Sequence, residues 1–160
     1  SMQSGTQGLD KKVAGGNGRG EKQPPRVEAA QALEAVAAVL RERAVEALRQ
    51  EQLTPGGLAL LQRVADHPGI TTSQLGAMNA ITRQAASKAA QVLVHQGLLQ
   101  GVTHPTDKRS IQLQLTAAGK RALQKGRARV AADQARVLAP LSEADANTLV
   151  RVLGPLLSDT

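Results

Sequence analysis

TTSQLGAMNAITRQAASKAAQVLVHQGLLQGVTHPTDKRSIQLQL, residues 71–115, is the stretch whose reading decides the fold. Thr71 with Gln74 three residues later is a capping-box pattern that opens a short helix, with Leu75 and Met78 on its inward side. Asn79, Ala80 and Ile81 form a turn, Thr82 caps a second helix, and Gly97 closes it. On that second helix Arg83, Gln84, Ser87, Lys88 and Gln91 recur at three- and four-residue steps and share one face, while Ala86, Ala89, Ala90 and Leu93 form a narrow apolar seam opposite. The polar face holds cations and amides and no carboxylate, which suits a groove of DNA.

After Gly97 the period changes from helical to alternating. Leu99 to Thr103 and Ile111 to Leu115 are strand candidates, the second with Ile111, Leu113 and Leu115 alternating against Gln112 and Gln114. The connection HPTDKRS, residues 104–110, makes the pair a wing-like hairpin.

Upstream, residues 1–25 are rich in Gly, Gln, Lys and Ser and hold too little apolar surface to offset ordering, so they read as a flexible basic arm. From about Arg26 to Gln52 the apolar positions Val27, Ala30, Leu33, Val36, Ala37, Leu40, Ala44, Ala47 and Leu48 follow helical spacing without an internal Gly or Pro. Such a helix is ~40 Å long at 1.5 Å per residue, too long for a small lobe to cover, and part of it is expected to pack on another chain. Thr54 and Pro55 then open a helix burying Leu58, Leu61 and Val64 and stopping at His67-Pro68-Gly69, with Ile70 as a very short strand. Downstream, a long helix is expected from Ala117 to about Leu138, with Pro140 ending it and Ser142 opening a last helix through Leu149, Val152 and Leu153.

Charge is concentrated where the donor-rich helix and hairpin lie. The chain of 160 residues carries a formal net charge of +7, and residues 82–121 hold six Lys or Arg against the single carboxylate of Asp107. That placement favours a polyanionic partner. The sequence contains no Phe, Trp or Tyr, which argues against stacking on single strands and leaves duplex DNA. Absence of cysteine excludes disulfides, thiolate metal sites and a cysteine redox sensor. His67, His95 and His104 lack metal-ligand spacing, and no nucleophile elbow, phosphate loop or acid pair is present, so neither a metal site nor an enzyme is expected. No run approaches the ~18 apolar residues of a membrane helix, and the expected location is cytoplasmic, on the nucleoid when bound to DNA.

The element order and the residues themselves resemble the MarR family of winged helix-turn-helix regulators over residues 26–157. The resemblance rests on the run from Thr71 through Leu75, Ile81, Thr82 and Leu93 to Gly97-Leu98-Leu99, then DKRS at 107–110 and LTAAG at 115–119. It implies a mainly α fold with a small β-hairpin wing, flanked by N- and C-terminal dimerisation helices: an arm (1–25), a dimerisation helix (26–52), a winged helix-turn-helix lobe (53–116) and C-terminal dimerisation helices (117–160). It further implies a homodimer reading a near-palindromic double-stranded operator as a transcriptional repressor released by a small-molecule effector, with no cofactor.

Within that frame, Arg83, Gln84, Ala85, Ser87 and Lys88 are the expected major-groove residues. Arginine pairs with guanine O6 and N7, and glutamine with adenine N6 and N7. Thr71, Thr72, Thr82 and Gln91 are expected on the DNA backbone. The resemblance puts Arg109 in the minor groove, with Asp107 positioning it and Lys108 and Ser110 beside it. The competing expectation is a ligand-independent architectural DNA binder or a protein-interaction winged helix.

Overall fold

A computed structural model of the chain describes residues 22–107 and 110–158. The elements are α1 (Pro25–Leu48), a 3-10 turn (Arg49–Glu51), α2 (Pro55–Asp66), α3 (Thr72–Met78), α4 (Arg83–His95), β1 (Leu99–Thr103), β2 (Ile111–Leu115), α5 (Ala117–Val137) and α6 (Glu143–Ser158). The chain separates into two units, one ending at Ala38 and the other starting at Val39. In the first, Val27, Leu33 and Val36 of α1 are exposed.

The second unit contains the core, and its helices start where short polar side chains meet free amides. Thr54, Thr71, Thr82 and Thr116 each accept a hydrogen bond from the backbone N–H three residues on, at 3.0, 3.2, 3.0 and 2.9 Å. At Thr71 the capping box is complete, since its own N–H donates to Gln74 Oε1 at 3.0 Å. Ser142 Oγ likewise accepts from the Asp145 amide.

These helices converge on Leu48, Leu53, Leu60, Leu61, Val64, Ile70, Leu75, Ala90, Leu93, Leu99, Leu113 and Leu123. Leu48, Leu61 and Leu75 are fully enclosed, and each such leucine contributes roughly 1.5–3 kcal/mol through burial. No polar side chain among the described residues is buried, so the lobe is held by aliphatic packing and caps.

The hairpin is antiparallel with Leu99 opposite Leu115 and Thr103 opposite Ile111. Its second strand is fastened to the helix-turn-helix by an isolated bridge between Thr71 and Gln112, flanked by hydrogen bonds from Leu113 N to Ile70 O (2.8 Å) and from Gly69 N to Leu113 O (3.2 Å). Ile70 therefore lends strand-like bonds to the sheet without forming the short strand expected from sequence.

Other expectations need correction. The first helix does not run to Gln52: it tightens to a 3-10 turn after Leu48, and Gln52 is left-handed at φ 55°. In α2 it is Leu60 that is buried with Leu61 and Val64, while Leu58 is half-buried. Met78 is exposed, and Gly76 fills the inward place beside Leu75 because the turn passes directly over it. A Cβ there would stand 3.0 Å from Ile81 O. Ile111 is 51% exposed because it lies beyond the core, toward the free end of the hairpin. Along α5 only Gly119, Leu123 and Gly126 are buried, and no residue of α6 is buried.

Candidate nucleic-acid interface

The donor-rich face of α4 begins at its N-terminus. Thr82 is extended (φ −67°, ψ 157°), and its hydroxyl oxygen takes the Ala85 amide, which starts the helix at Arg83. Arg83, Gln84, Ala85, Lys88 and Gln91 are exposed, and Ser87 is half-buried. On the opposite side Ala86, Ala90 and Leu93 are buried and Ala89 is half-buried, matching the predicted seam. Cationic and amide side chains thus extend from a helix whose free N–H groups already favour negative charge.

Loss of the cap should be measurable. Thr82→Ala is expected to cost about 1 kcal/mol, read as a lower urea midpoint with an unchanged m-value.

A second group of predicted residues comes together in the cleft between α4 and the hairpin. Thr72, Ser87 and Gln91 line a cavity of about 560 Å³ with Ala90, Val94 and His95 from the helix and Gly101, Thr103, Ile111 and Leu113 from the strands. Sequence reasoning missed His95 and Thr103. Their signal is the four-residue step from Ser87 through Gln91 to His95, and the place of Thr103 opposite Ile111. Thr71 and Thr82 use their hydroxyl oxygens in the caps; either O–H can still donate outward.

The wing turn is organised by a residue that the sequence reading left without a role. His104 Nδ1 accepts from the Thr106 amide at 3.2 Å and the Asp107 amide at 3.1 Å, and lies 3.2 Å from Thr106 Oγ1. This is the job that Asp or Asn performs in most such turns, at the same two- and three-residue reach. Accepting amide N–H bonds at Nδ1 places the ring proton on Nε2. Asp107 Oδ2 accepts from Ser110 Oγ at 3.0 Å, and two backbone bonds close the turn, Ser110 N to Asp107 O and His104 N to Ser110 O. Lys108 and Arg109 lie outside the described residues, as does nearly all of the expected arm, residues 1–25.

Geometry of this kind is shared with known proteins. The model of the MarR family matches residues 51–110, the segment from the 3-10 turn to the wing. The HTH-type transcriptional repressor Rv2887 of Mycobacterium tuberculosis is 31% identical over 124 residues, spanning 78% of this chain and 89% of that protein. The chain belongs to the MarR family. A transcriptional regulatory protein assigned to the hcr operon of Thauera aromatica is 33% identical over 103 residues; the match spans 64% of this chain and 62% of that relative.

Among solved structures, Rv2887 in complex with salicylic acid superposes on this MarR-family chain with a TM-score of 0.66 at 28% identity, covering 86% of this chain and 99% of that one. Its complex with DNA gives 0.69 at 27% identity, covering 84% and 98%. Apo MarR of Escherichia coli gives 0.72 at 20% identity, covering 86% and 99%, a likeness of fold. The winged helix-turn-helix architecture read from the sequence is thereby established.

Proposed function

We propose that the chain is a homodimeric transcriptional repressor that binds a near-palindromic duplex operator and is released by a small acidic ligand. The observation that carries the DNA-binding reading is the carboxylate-free, exposed face of α4, with Arg83 and Gln84 at its capped N-terminus beside a structured wing. Arg83 and Gln84 read bases, with Ala85 at the groove floor; Lys88 and Ser87 hold phosphate or a flanking base; Thr71, Thr72, Thr82 and Gln91 take the backbone. In the wing, Asp107 and Ser110 set the turn that presents Lys108 and Arg109 to the minor groove. His95 and Thr103 join the backbone contacts because they line the same cleft as Thr72 and Gln91. The related repressor Rv2887, solved with DNA, supports the DNA-binding reading.

Dimerisation is supported by apolar surface that this chain leaves uncovered. On α6, Val150 is 74% exposed, Leu156 61% and Val152 53%. Apolar faces of this kind on terminal helices are the usual substance of a symmetric interface. The flanking helices are thus the dimerisation region and residues 53–116 the reading lobe.

For the ligand, an open cleft of about 490 Å³ runs along α5, lined by Ala65, Leu115, Leu123, Ala128 and Ala131 with Lys120, Gln124 and Arg127 at its polar side. Aliphatic walls with two cations suit a compact anion with an apolar body. The complex of Rv2887 with salicylic acid supports that class of effector. No described helix is long and apolar enough to cross a membrane, consistent with the cytoplasmic location proposed for such a regulator.

The test is selection of bound fragments from random duplex DNA, followed by footprinting and sedimentation. Enrichment of a twofold-symmetric site bound by two chains is expected, with addition of salicylate lowering occupancy. Steep salt dependence with no preferred sequence would instead identify an architectural binder, and no retention on duplex at low salt would identify a protein-interaction module.

A further inference from the structure

The C-terminal end of the reading helix is tied to a distant joint in the chain. Gln96, the residue that caps α4, donates from Nε2 to the carbonyl oxygen of Gln52 at 2.9 Å, across 44 residues of sequence. Gln52 is itself the joint between α1 and α2. It is left-handed at φ 55°, its N–H bonds to Arg49 O at 3.0 Å, and the next amide, that of Leu53, reaches back to Leu48 O at 3.2 Å.

The other side of the same joint is gripped by α5. Arg129 donates from Nε to Glu51 Oε1 at 3.0 Å and from Nη1 to Gln50 Oε1 at 3.0 Å. One guanidinium thus holds two successive residues of the 3-10 turn in a fixed plane, as its fork geometry allows. A continuous polar path follows: Arg129 on α5, Gln50 and Glu51, the backbone of Gln52, Gln96, and α4. Leu48 and Leu53, buried on either side of the turn, keep the joint from sliding.

We infer that Gln96 is a positioning residue for DNA reading, acting through this joint, and that Arg129 acts on α4 by the same route. The inference rests on the DNA-binding role proposed above. The α4 axis is ~20 Å long for its thirteen residues, and Gln96 sits at the opposite end from Arg83. A tilt of roughly 5° about the Gln96 end therefore displaces the reading end by about 2 Å, enough to break bidentate base pairing. Anything that shifts α5 against the 3-10 turn is transmitted to α4 through two side chains that touch no DNA in the proposed docking.

Gln96→Met and Arg129→Met, alone and combined, test this in the full-length chain, since methionine matches the length of glutamine, keeps the apolar stem of arginine, and can donate in neither place. Wild-type protein first selects its duplex; failure to enrich any sequence would overturn the DNA-binding role itself, whatever Gln96 does. Given a selected duplex, each single variant should lose about 3- to 10-fold in affinity for it, the range set by one hydrogen bond, with affinity for unrelated duplex and the salt slope unchanged. The double variant should lose no more than the larger single loss. Losses that multiply, or a Gln96→Met protein with wild-type specificity, would overturn the inference.

A second readout needs no DNA. Arg129→Met should speed hydrogen exchange in the last turn of α4, at Val92 to His95, which Arg129 does not touch, and the effect should vanish in the Gln96→Met background. Acceleration confined to the 3-10 turn would refute the transmission while leaving the DNA-binding role standing.

Discussion

Gly119→Ala is expected to destabilise the lobe by about 3 kcal/mol, lowering the melting temperature by roughly 6–12 °C for a chain of this size. A methyl group at this place, near the start of α5, meets the Leu98 carbonyl oxygen in hard overlap, with Leu98 C at 2.9 Å and Leu115 Cδ2 at 3.3 Å. The carbonyl cannot step aside freely. It accepts the Thr116 amide at 3.1 Å, and the amide of its own residue is bonded to Leu93 O at 2.9 Å. The Thr116 hydroxyl, in turn, donates to Gly97 O at 2.6 Å while accepting the Gly119 amide. Helix propensity alone favours alanine over glycine by roughly 0.5–1 kcal/mol, so the two effects oppose each other and the sign of the shift in a thermal melt decides between them. A raised melting temperature would mean that the start of α5 can move away from Leu98, contrary to this packing.

Arg83→Ala is expected to weaken the selected duplex by roughly 1–3 kcal/mol, about 5- to 150-fold, and to relax the preference at one base position. Lys88→Ala should instead weaken all duplexes alike and reduce the salt slope by about one. The distinction follows from position, since Arg83 is the first residue of α4 and Lys88 lies more than a turn further along the same exposed face. Equilibrium titrations against the selected site and its single-base variants, at two salt concentrations, separate the two behaviours. A uniform loss for Arg83→Ala would make it a phosphate contact and leave base reading to Gln84.

Local signals carried most of the fold. Thr54, Thr71, Thr82 and Ser142 are readable because a cap involves a side chain and an amide only three residues apart, and the alternation in β2 correctly placed the hairpin. The errors fall where packing, rather than pattern, chooses. Leu58, Leu60 and Leu61 all fit a helix with one apolar side, and only the direction from which the neighbouring elements approach makes Leu60, rather than Leu58, join Leu61 in the core. Met78 fits the inward side of α3 by spacing, yet Gly76 and the returning turn occupy that place.

The candidate site shows the same division. The face of α4 was legible as a period, because Arg83, Gln84, Ser87, Lys88 and Gln91 needed only helical geometry to be brought together. The wing knot was not, since histidine seldom serves as the acceptor that organises a turn, and nothing in HPTD distinguishes a ring nitrogen at work from an idle one. The link from Gln96 to Gln52 spans 44 residues and leaves no periodic trace at all.

The two-sidedness of α4 has an evolutionary consequence. Ala86, Ala90 and Leu93 hold the helix in the lobe, while Arg83, Gln84 and Lys88 lie in solvent and contribute nothing to the core. Surface substitutions of that kind change stability by no more than about 0.5 kcal/mol. With Arg83 and Gln84 in the proposed base-reading role, a gene copy can therefore acquire a new target sequence through single changes at either residue with no intermediate that fails to fold. Duplication followed by drift on this face gives a route from one regulator to several.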